Sequence, residues 1–411
     1  MRWYALGEIT DDPTAFLEAP PEAPKIWKAK AVADLYSLVD LDNLISVGGL
    51  HSAALTVSNF SRRAPQSQYT MRRYGVEPAV AELCDTLAVE QFLNAGYSLH
   101  ISNLQRYSKS VLLFTERLGF ELGVPTKAEA FMTPPGAQAF AEHYDVNDNL
   151  ICQIQGSKRW RLYAPSFVKP LPRHAWSWAD ASDALRERII NHPPDFEAVL
   201  HPGSVLWIPR GWIHAGTATD KASLHVTLRP EPVSAEWVSQ RLIEFLADGS
   251  RDLRSTGYRS CNTPADAKAT LESVIAKLRG NLESPVAESL SVDLWAAHGE
   301  LFESPVTNPI GALSLAGESP MEDLWFRPEG ATGHRRDGDA LHIHLGTARK
   351  VLKGVEAALV EGLISNSDYV NMADARKRFE SVMDWPPLVS GLRAVGLVVP
   401  SAHVLSRWLP A

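Results

Sequence analysis

The chain is poor in cysteine. Its 411 residues include 3, Cys84, Cys152 and Cys261, widely spaced and without a CxxC pair. That scarcity argues against a disulfide framework and against a zinc finger or ribbon, and it fits a reducing compartment. No run approaches the roughly 18 consecutive apolar residues of a membrane-spanning helix. The opening MRWYALGEITDDPTAFL meets acidic residues early and lacks the apolar stretch of a secretory signal, so a cytoplasmic location is expected. Internal repeats and low-complexity tracts are absent. Positive charge is scarce too: 40 Lys and Arg stand against 48 Asp and Glu, a net charge of −8. A protein built only to neutralise nucleic-acid phosphates would carry the opposite balance, whereas an acidic surface suits a basic protein partner.

What the chain does contain is ordinary for a globular protein, with 45% apolar and 21% charged residues. Its length asks for two or three domains. TLAVEQFLNAG (Thr86–Gly96) predicts a helix closed by glycine, GYSLHISNLQRYS (Gly96–Ser108) a strand, and KSVLLFTERLGFELG (Lys109–Gly123) a second helix. From Glu129 to about Pro230 short strand-like runs alternate with the turn signals TPPG, QGSK, HPGS and PRGW. That texture predicts an antiparallel barrel or jelly roll. After Pro232 the pattern is helical, with apolar stripes in AEWVSQRLIEFLADG (Ala235–Gly249) and PADAKATLESVIAKLRGNL (Pro264–Leu282). These stripes pack either inside the chain or against a second copy. RPEGATGHRRDGD (Arg327–Asp339) reads as a polar loop, ALHIHLG as a strand, TARKVLKGVEAALVEGLI as a helix, and WPPLVSGLRAVGLVVP as a closing helix–turn–strand. The expected division is 1–232 for the barrel, 233–310 for a helical region and 311–411 for a winged-helix-like α+β unit.

The chemistry begins in AEHYDVNDN (Ala141–Asn149). In a strand, residues i and i+2 project to one face, so His143 and Asp145 form a two-pronged claw. GSVLWIPRGWIHAG supplies a third group, His214, separated from Asp145 by a gap of 68 residues. Two imidazoles and one carboxylate make the facial triad of non-haem Fe(II) oxygenases, with positions left open for a bidentate 2-oxoacid and O2. HxD by itself is a weak signal. Lys158 strengthens it. In KRWRLYAP, Lys158 shares the apolar face of Trp160 and Leu162, opposite Arg159, Arg161 and Tyr163. A lysine on an inward face needs an anion, and the distal carboxylate of 2-oxoglutarate supplies one. His225, in SLHVT, shares its parity with Ser223 and Thr227 and reads as barrel lining. His342 and His344 form an HxH without a nearby carboxylate and read as ordinary strand residues.

The stretches TPPGAQAFAEHYDVNDNLICQIQGSKRWRLYAPS and LHPGSVLWIPRGWIHAGTATDKASLHVTLRP resemble the JmjC-type cupins of the ribosomal oxygenase group, Fe(II)- and 2-oxoglutarate-dependent protein hydroxylases. Lys158 follows His143 by 15 residues, and PRGWxH leads into His214, both as in that family. The resemblance implies a mainly β double-stranded β-helix (jelly roll, cupin), a helical dimerisation region and a C-terminal winged-helix domain. It implies His143, Asp145 and His214 as iron ligands, and Lys158 as the contact for the 2-oxoglutarate C5 carboxylate. Thr133 of TPPG and Arg229 are added as candidate co-substrate contacts. Three positions depart from the family. Where an Asn and a Tyr usually precede TPPG, this chain has Glu129 and Phe131, and Phe131 cannot donate a hydrogen bond. Arg229 stands where a small polar residue is usual; it is placed to contact the co-substrate, to neutralise Glu129, or to face solvent.

Arg210 and Trp212 are expected either to rim the substrate mouth or to build the turn. RRAPQSQYTMRRYG (Arg62–Gly75) reads as a solvated basic loop. The C-terminal unit has no basic cluster beyond DARKRFE (Asp374–Glu380), so protein contact rather than DNA binding is expected there. The leading function is hydroxylation of a protein side chain, with a ribosomal protein as the first candidate. The alternatives are a peptide-tailoring hydroxylase, a lysine demethylase, and a catalytically silent dimeric cupin that binds a partner.

Overall fold

A computed structural model describes residues 2–60, 62–71, 82–177, 180–255, 263–282, 286–303, 320–379 and 384–409. Cys261, Glu380, the end of the Arg62–Gly75 segment and the expected boundary at 311 lie outside these residues.

The chain divides into two compact units. One holds the residues up to Glu231, a short piece ending at Glu329, and the chain from Leu363 onward. The other starts at Pro232, takes in the middle helices, and includes Gly330–Gly362. The segment expected as one C-terminal domain is therefore shared between the two units.

In the first unit the strands β1 (Lys25–Lys28), β2 (Leu55–Asn59), β3 (Arg62–Arg63), β4 (Ser98–Ile101), β5 (Thr126–Thr133), β6 (His143–Tyr144), β7 (Asn149–Gln155), β8 (Lys158–Tyr163), β9 (Trp176–Ser177), β10 (Phe196–Leu200), β11 (Ser204–Ile208), β12 (Ile213–Ala218) and β13 (Ser223–Pro230) form two sheets. The larger runs β1-β11-β7-β13-β5-β4-β2-β3 and the smaller β10-β8-β12-β6-β9. Their pairings are antiparallel, as the jelly-roll expectation required.

Alternation along each strand divides the large sheet into two faces. Leu150, Cys152 and Ile154 of β7, Ala128 and Ala130 of β5, and Leu224, Val226 and Leu228 of β13 enter the main core. Helical elements cover that face, among them Lys109–Leu122, which contributes Val111, Phe114 and Leu118. That helix starts at Ser108, whose hydroxyl accepts from the Val111 amide, and stops at Gly123 in the left-handed region. The residues between, Ile151, Glu129, Phe131, His225, Thr227 and Arg229, face a cavity toward the small sheet. Both faces of the central strands are covered, which explains why NLICQIQ is buried at every position but the last.

Gly156 makes the corner from β7 to β8. Its φ is +65°, and a Cβ there would sit 2.0 Å from the Ala222 carbonyl oxygen. Gly156→Ala combines left-handed strain, about 1–2 kcal/mol, with a backbone overlap. It is expected to lower the melting temperature of the first unit by several degrees in a thermal melt and to disturb the start of β8, where Lys158 sits.

The C-terminal segment joins the same core through Tyr369, Val399, Val404 and Trp408. A buried ionic network ties it in. Arg117 donates to Glu121 at 2.8 Å, to Glu329 at 3.4 Å and to the Ser367 carbonyl at 2.6 Å. Arg327 donates to Glu116 at 2.8 Å, and the Tyr369 hydroxyl to Glu329 at 2.8 Å. Glu121 also accepts the Tyr4 and Leu6 amides, each at 2.7 Å. The polar loop expected at Arg327–Asp339 is corrected accordingly. Arg327 and Glu329 are buried, and Gly333–Asp337 is a strand. The three-stranded sheet of this unit orders Val370–Asn371, Leu324–Phe326 and Val398–Pro400.

In the second unit the helices Ala235–Gly249, Pro264–Asn281 and Val286–Gly299 follow the expected helical region. Gly333–Asp337, Ala340–Leu345 and Ala348–Lys353 form a three-stranded sheet. The helix expected from Thr347 begins only at Gly354. Leu345 pairs with Ala348, so Gly346 and Thr347 are a two-residue turn with Gly346 at φ +63°. ARKVLK then alternates as a strand and buries Leu352. His342 and His344 lie in the middle strand, with His344 buried against Trp295 at 4.1 Å between ring centroids.

Candidate active site

The antiparallel ladder sets His143 of β6 directly opposite His214 of β12. Asp145 follows just beyond β6, where its carbonyl accepts the Gly211 amide at 3.0 Å. The Nε2 atoms of His143 and His214 lie 3.9 and 3.6 Å from the two Asp145 carboxylate oxygens. Among the described residues this is the one group of three or more His, Cys, Asp or Glu side chains whose ligand atoms all lie within 4.8 Å of one another.

Second contacts orient all three. His143 Nδ1 faces the Ala141 carbonyl and His214 Nδ1 the Trp212 carbonyl, each at 2.9 Å. A carbonyl can only accept, so both Nδ1 atoms carry a proton, and Nε2 is the nitrogen each ring has left for a metal. Asn149 donates to Asp145 at 2.6 Å. Burial, followed by the neighbouring His143, brings the His214 pKa down to about 4, so it is neutral at physiological pH. Burial alone would raise the Asp145 carboxyl; His143, His214, the Asn149 hydrogen bond and Arg229 outweigh it and hold it below the usual carboxylate range. Two imidazoles with Nε2 turned inward and an ionised carboxylate on adjoining backbone are the donor set of a 2-His-1-carboxylate metal centre. These residues fit a divalent transition metal.

The cavity holding the triad measures about 540 Å³. On its wall lies Lys158, 2% exposed, with its ammonium 3.0 Å from the Thr133 hydroxyl. No carboxylate of the described residues pairs with it. Burial therefore pushes its pKa down to about 7. The aromatic faces of Trp160 and Phe131 lie 5.4 and 6.0 Å from the ammonium. Gly216 of β12 leaves room for the lysine stem, since a Cβ there would meet Lys158 Cε at 2.9 Å and the Trp160 ring at 3.1 Å. Gly216→Val should weaken binding of a small dicarboxylate to this end, read by calorimetric titration, while metal affinity stays unchanged.

Glu129 and Arg229 pair at 2.9 Å, and His100 holds the other Glu129 oxygen at 3.0 Å. Of the three sequence alternatives for Arg229, this is neutralisation of Glu129. Phe131 is stacked between His100 and His225, with ring centroids 4.3 and 4.8 Å away. The sequence reading did not single out His100 or Asn149. The alternation of SLHI, which puts His100 opposite Leu99 and Ile101, was the available signal for the first. Arg210 and Trp212 serve the turn: the Arg210 amide donates to Asp148, and the Trp212 indole to the Glu22 carbonyl.

Residues 103–236 of this jelly roll, which hold the inward HxD…H triad, match the family model described as JmjC domain. Ribosomal oxygenase 1 of Gallus gallus is 33% identical over 200 residues, covering 48% of this chain and 30% of the relative. The bifunctional lysine-specific demethylase and histidyl-hydroxylase NO66 of Drosophila persimilis is 38% identical over 134 residues, 32% of this chain and 18% of the relative. The chain thus spans less than a third of the length of these curated relatives. In fold it is similar to ycfD of E. coli, with a TM-score of 0.55 at 14% identity over 95% of this chain and 98% of that one. It is also similar to YcfD, described as a ribosomal oxygenase from Escherichia coli, in complex with cobalt and succinic acid, with a TM-score of 0.51 at 14% identity over 94% and 97%.

Proposed function

We propose that the protein is an Fe(II)- and 2-oxoglutarate-dependent oxygenase that hydroxylates a side chain of a protein, with a ribosomal protein as the substrate. The observation that carries this reading is the Lys158 ammonium, buried in the same cavity as the triad and without an anionic partner among the described residues. A buried cation opposite a metal centre asks for a ligand with a carboxylate at one end and metal-binding oxygens at the other. 2-Oxoglutarate has that shape.

His143, Asp145 and His214 would hold the iron through Nε2, Nε2 and a carboxylate oxygen. Lys158 and Thr133 would hold the distal carboxylate, with Arg229 as a further contact. With O2, the bound iron supplies oxidative decarboxylation of the oxoacid to succinate and CO2, coupled to insertion of one oxygen into a C–H bond. The chain's own part is to fix both ends of the oxoacid, keep the His214 imidazole neutral by burial, and exclude water with Phe131, Trp160 and Ile151.

The choice of a ribosomal substrate leans on the names of the relatives, which include ribosomal oxygenases and a histidyl-hydroxylase. In the same reading, the apolar stripe Leu271, Val274, Ile275 and Leu282, exposed in the described chain, pairs with a second copy as a dimerisation surface. The C-terminal residues act as a winged-helix-like scaffold without DNA contact, and the protein works in the cytoplasm. No helix among the described residues is long and apolar enough to cross a membrane.

Comparative mass spectrometry of cells with and without the gene tests this function. A ribosomal-protein residue that loses one oxygen on deletion supports it. An unchanged ribosome, with the lost oxygen on a small peptide, replaces it with peptide tailoring. No lost oxygen anywhere, with partner binding intact in Asp145→Ala, replaces it with the silent binding protein.

A further inference from the structure

We propose that Arg229 receives the carboxylate at the metal end of the 2-oxoacid, and that Glu129 and His100 are positioning residues that hold its guanidinium there. The inference rests on the oxygenase reading above and adds a second cationic end to the pocket.

The three groups come from neighbouring strands, β4, β5 and β13. Glu129 stands opposite Thr227, and His100 opposite Phe131. Each contact to Glu129 is therefore diagonal, reaching along the ladder from the next residue on that face. Arg229 Nη1 takes Glu129 Oε1 at 2.9 Å, and His100 Nε2 takes Oε2 at 3.0 Å. Both oxygens are thus occupied. Burial works against the charge on Glu129, yet the His100 hydrogen bond and Arg229 keep its carboxyl below the usual range. An ionised Glu129 fixes one edge of the guanidinium. The stacking of His100 on Phe131 fixes the imidazole in turn.

A guanidinium carries five N–H donors in a rigid fork. Glu129 takes a donor at one edge, and the Nε of Arg229 is buried without a hydrogen-bond partner. Arg229 lines the cavity together with Asp145, whose carboxyl its charge helps to lower. It is therefore a cation beside the metal ligands with donors to spare. A carboxylate chelated at the metal would complete the fork.

The spacing agrees. Thr133, which touches Lys158, and Glu129, which touches Arg229, are four residues apart on one face of β5, roughly 13 Å at about 3.3 Å per residue. An extended five-carbon dicarboxylate, about 5–6 Å between its terminal carbons, with a hydrogen bond of about 3 Å at each end, fills most of that interval. The Glu129–Arg229 pair also explains how this chain carries a carboxylate where it would otherwise repel both Asp145 and the ligand. The arginine cancels the glutamate and turns the wall attractive.

The test is calorimetric titration of the Zn(II)-loaded protein with two probes. One is 2-oxoglutarate. The other is succinic semialdehyde, which keeps the distal carboxylate and lacks the one at the metal end. Arg229→Ala/Glu129→Gln, a neutral wall without the pair, should weaken 2-oxoglutarate by 10- to 100-fold and leave succinic semialdehyde within twofold. Restoring a cation with Arg229→Lys in the Glu129 background should recover part of the loss. His100→Phe, which keeps the stack and removes the hydrogen bond, should weaken 2-oxoglutarate several-fold and spare the semialdehyde. Unchanged 2-oxoglutarate affinity in the double variant overturns the proposal, and so does an equal loss for both probes. Lys158→Ala serves as the reference. It should weaken both probes, and if it weakens neither, the 2-oxoacid reading itself falls.

Discussion

Lys158→Met should raise the dissociation constant for 2-oxoglutarate by two to three orders of magnitude without lowering the melting temperature. The ammonium is 2% exposed, its single hydrogen bond goes to Thr133, and burial has pushed its pKa down to about 7. A buried charge without a counter-charge is a cost to the folded chain, so an apolar residue of similar length is tolerated or favoured. Ligand binding gains what folding lost. A charged hydrogen bond in a site closed to water is worth roughly 3–4 kcal/mol when one partner is removed, which sets the fold-change. The pH dependence has a defined sign. In the free protein the ammonium loses its proton as pH rises through about 7. A bound carboxylate favours the charged form and raises that pKa. Binding above pH 7 therefore takes up a proton, and affinity falls with rising pH by up to about tenfold per unit. Titrations at pH 6.5, 7.5 and 8.5 in buffers of different ionisation enthalpy read both the slope and the proton. Lys158→Met should abolish both.

Arg117→Met should lower the melting temperature of the first unit by about 10 °C and expose its C-terminal segment to protease. Arg117 is 0% exposed and joins Glu121, Glu329 and the Ser367 carbonyl. Its removal strands two buried carboxylates, at a cost of about 3–5 kcal/mol, or 2–4 °C for each kcal/mol in a unit of this size. Glu121 keeps its amide donors from Tyr4 and Leu6, so the loss concentrates on Glu329 and the segment it anchors. Limited proteolysis with mass mapping reads the local effect and differential scanning calorimetry the global one. An unchanged melting temperature with intact Leu363–Ala411 would show that apolar packing of Tyr369, Val399 and Trp408 holds the segment unaided.

How much of this was legible follows from where the partners sit. The period of two in HxD, the approach PRGWxH and the face shared by Lys158 and Trp160 are local patterns, and local patterns survive in one sequence. The structure brings His143, Asp145 and His214 together and puts Lys158 on the inward face. The roles of Glu129 and Arg229 were left open because their pairing depends on register. Residues 100, 129 and 229 meet only because β4, β5 and β13 are neighbours. Arg327 and Glu329 failed as a polar loop for the same reason, since their counter-charges, Glu116 and Arg117, lie about two hundred residues away. Thr347–Lys353 failed differently. ARKVLK suits a helix by propensity, and the hairpin turn at Gly346 with the burial of Leu352 overrides it.

The most direct test of the central claim is succinate formation from 2-oxoglutarate by protein loaded with Fe(II) under air, with Asp145→Ala measured beside it. The account predicts Fe(II)- and O2-dependent succinate from the wild type and none above background from the variant. Equal turnover by both proteins, or tight metal binding by the wild type with no 2-oxoglutarate consumption in the presence of ribosomal proteins, would contradict it.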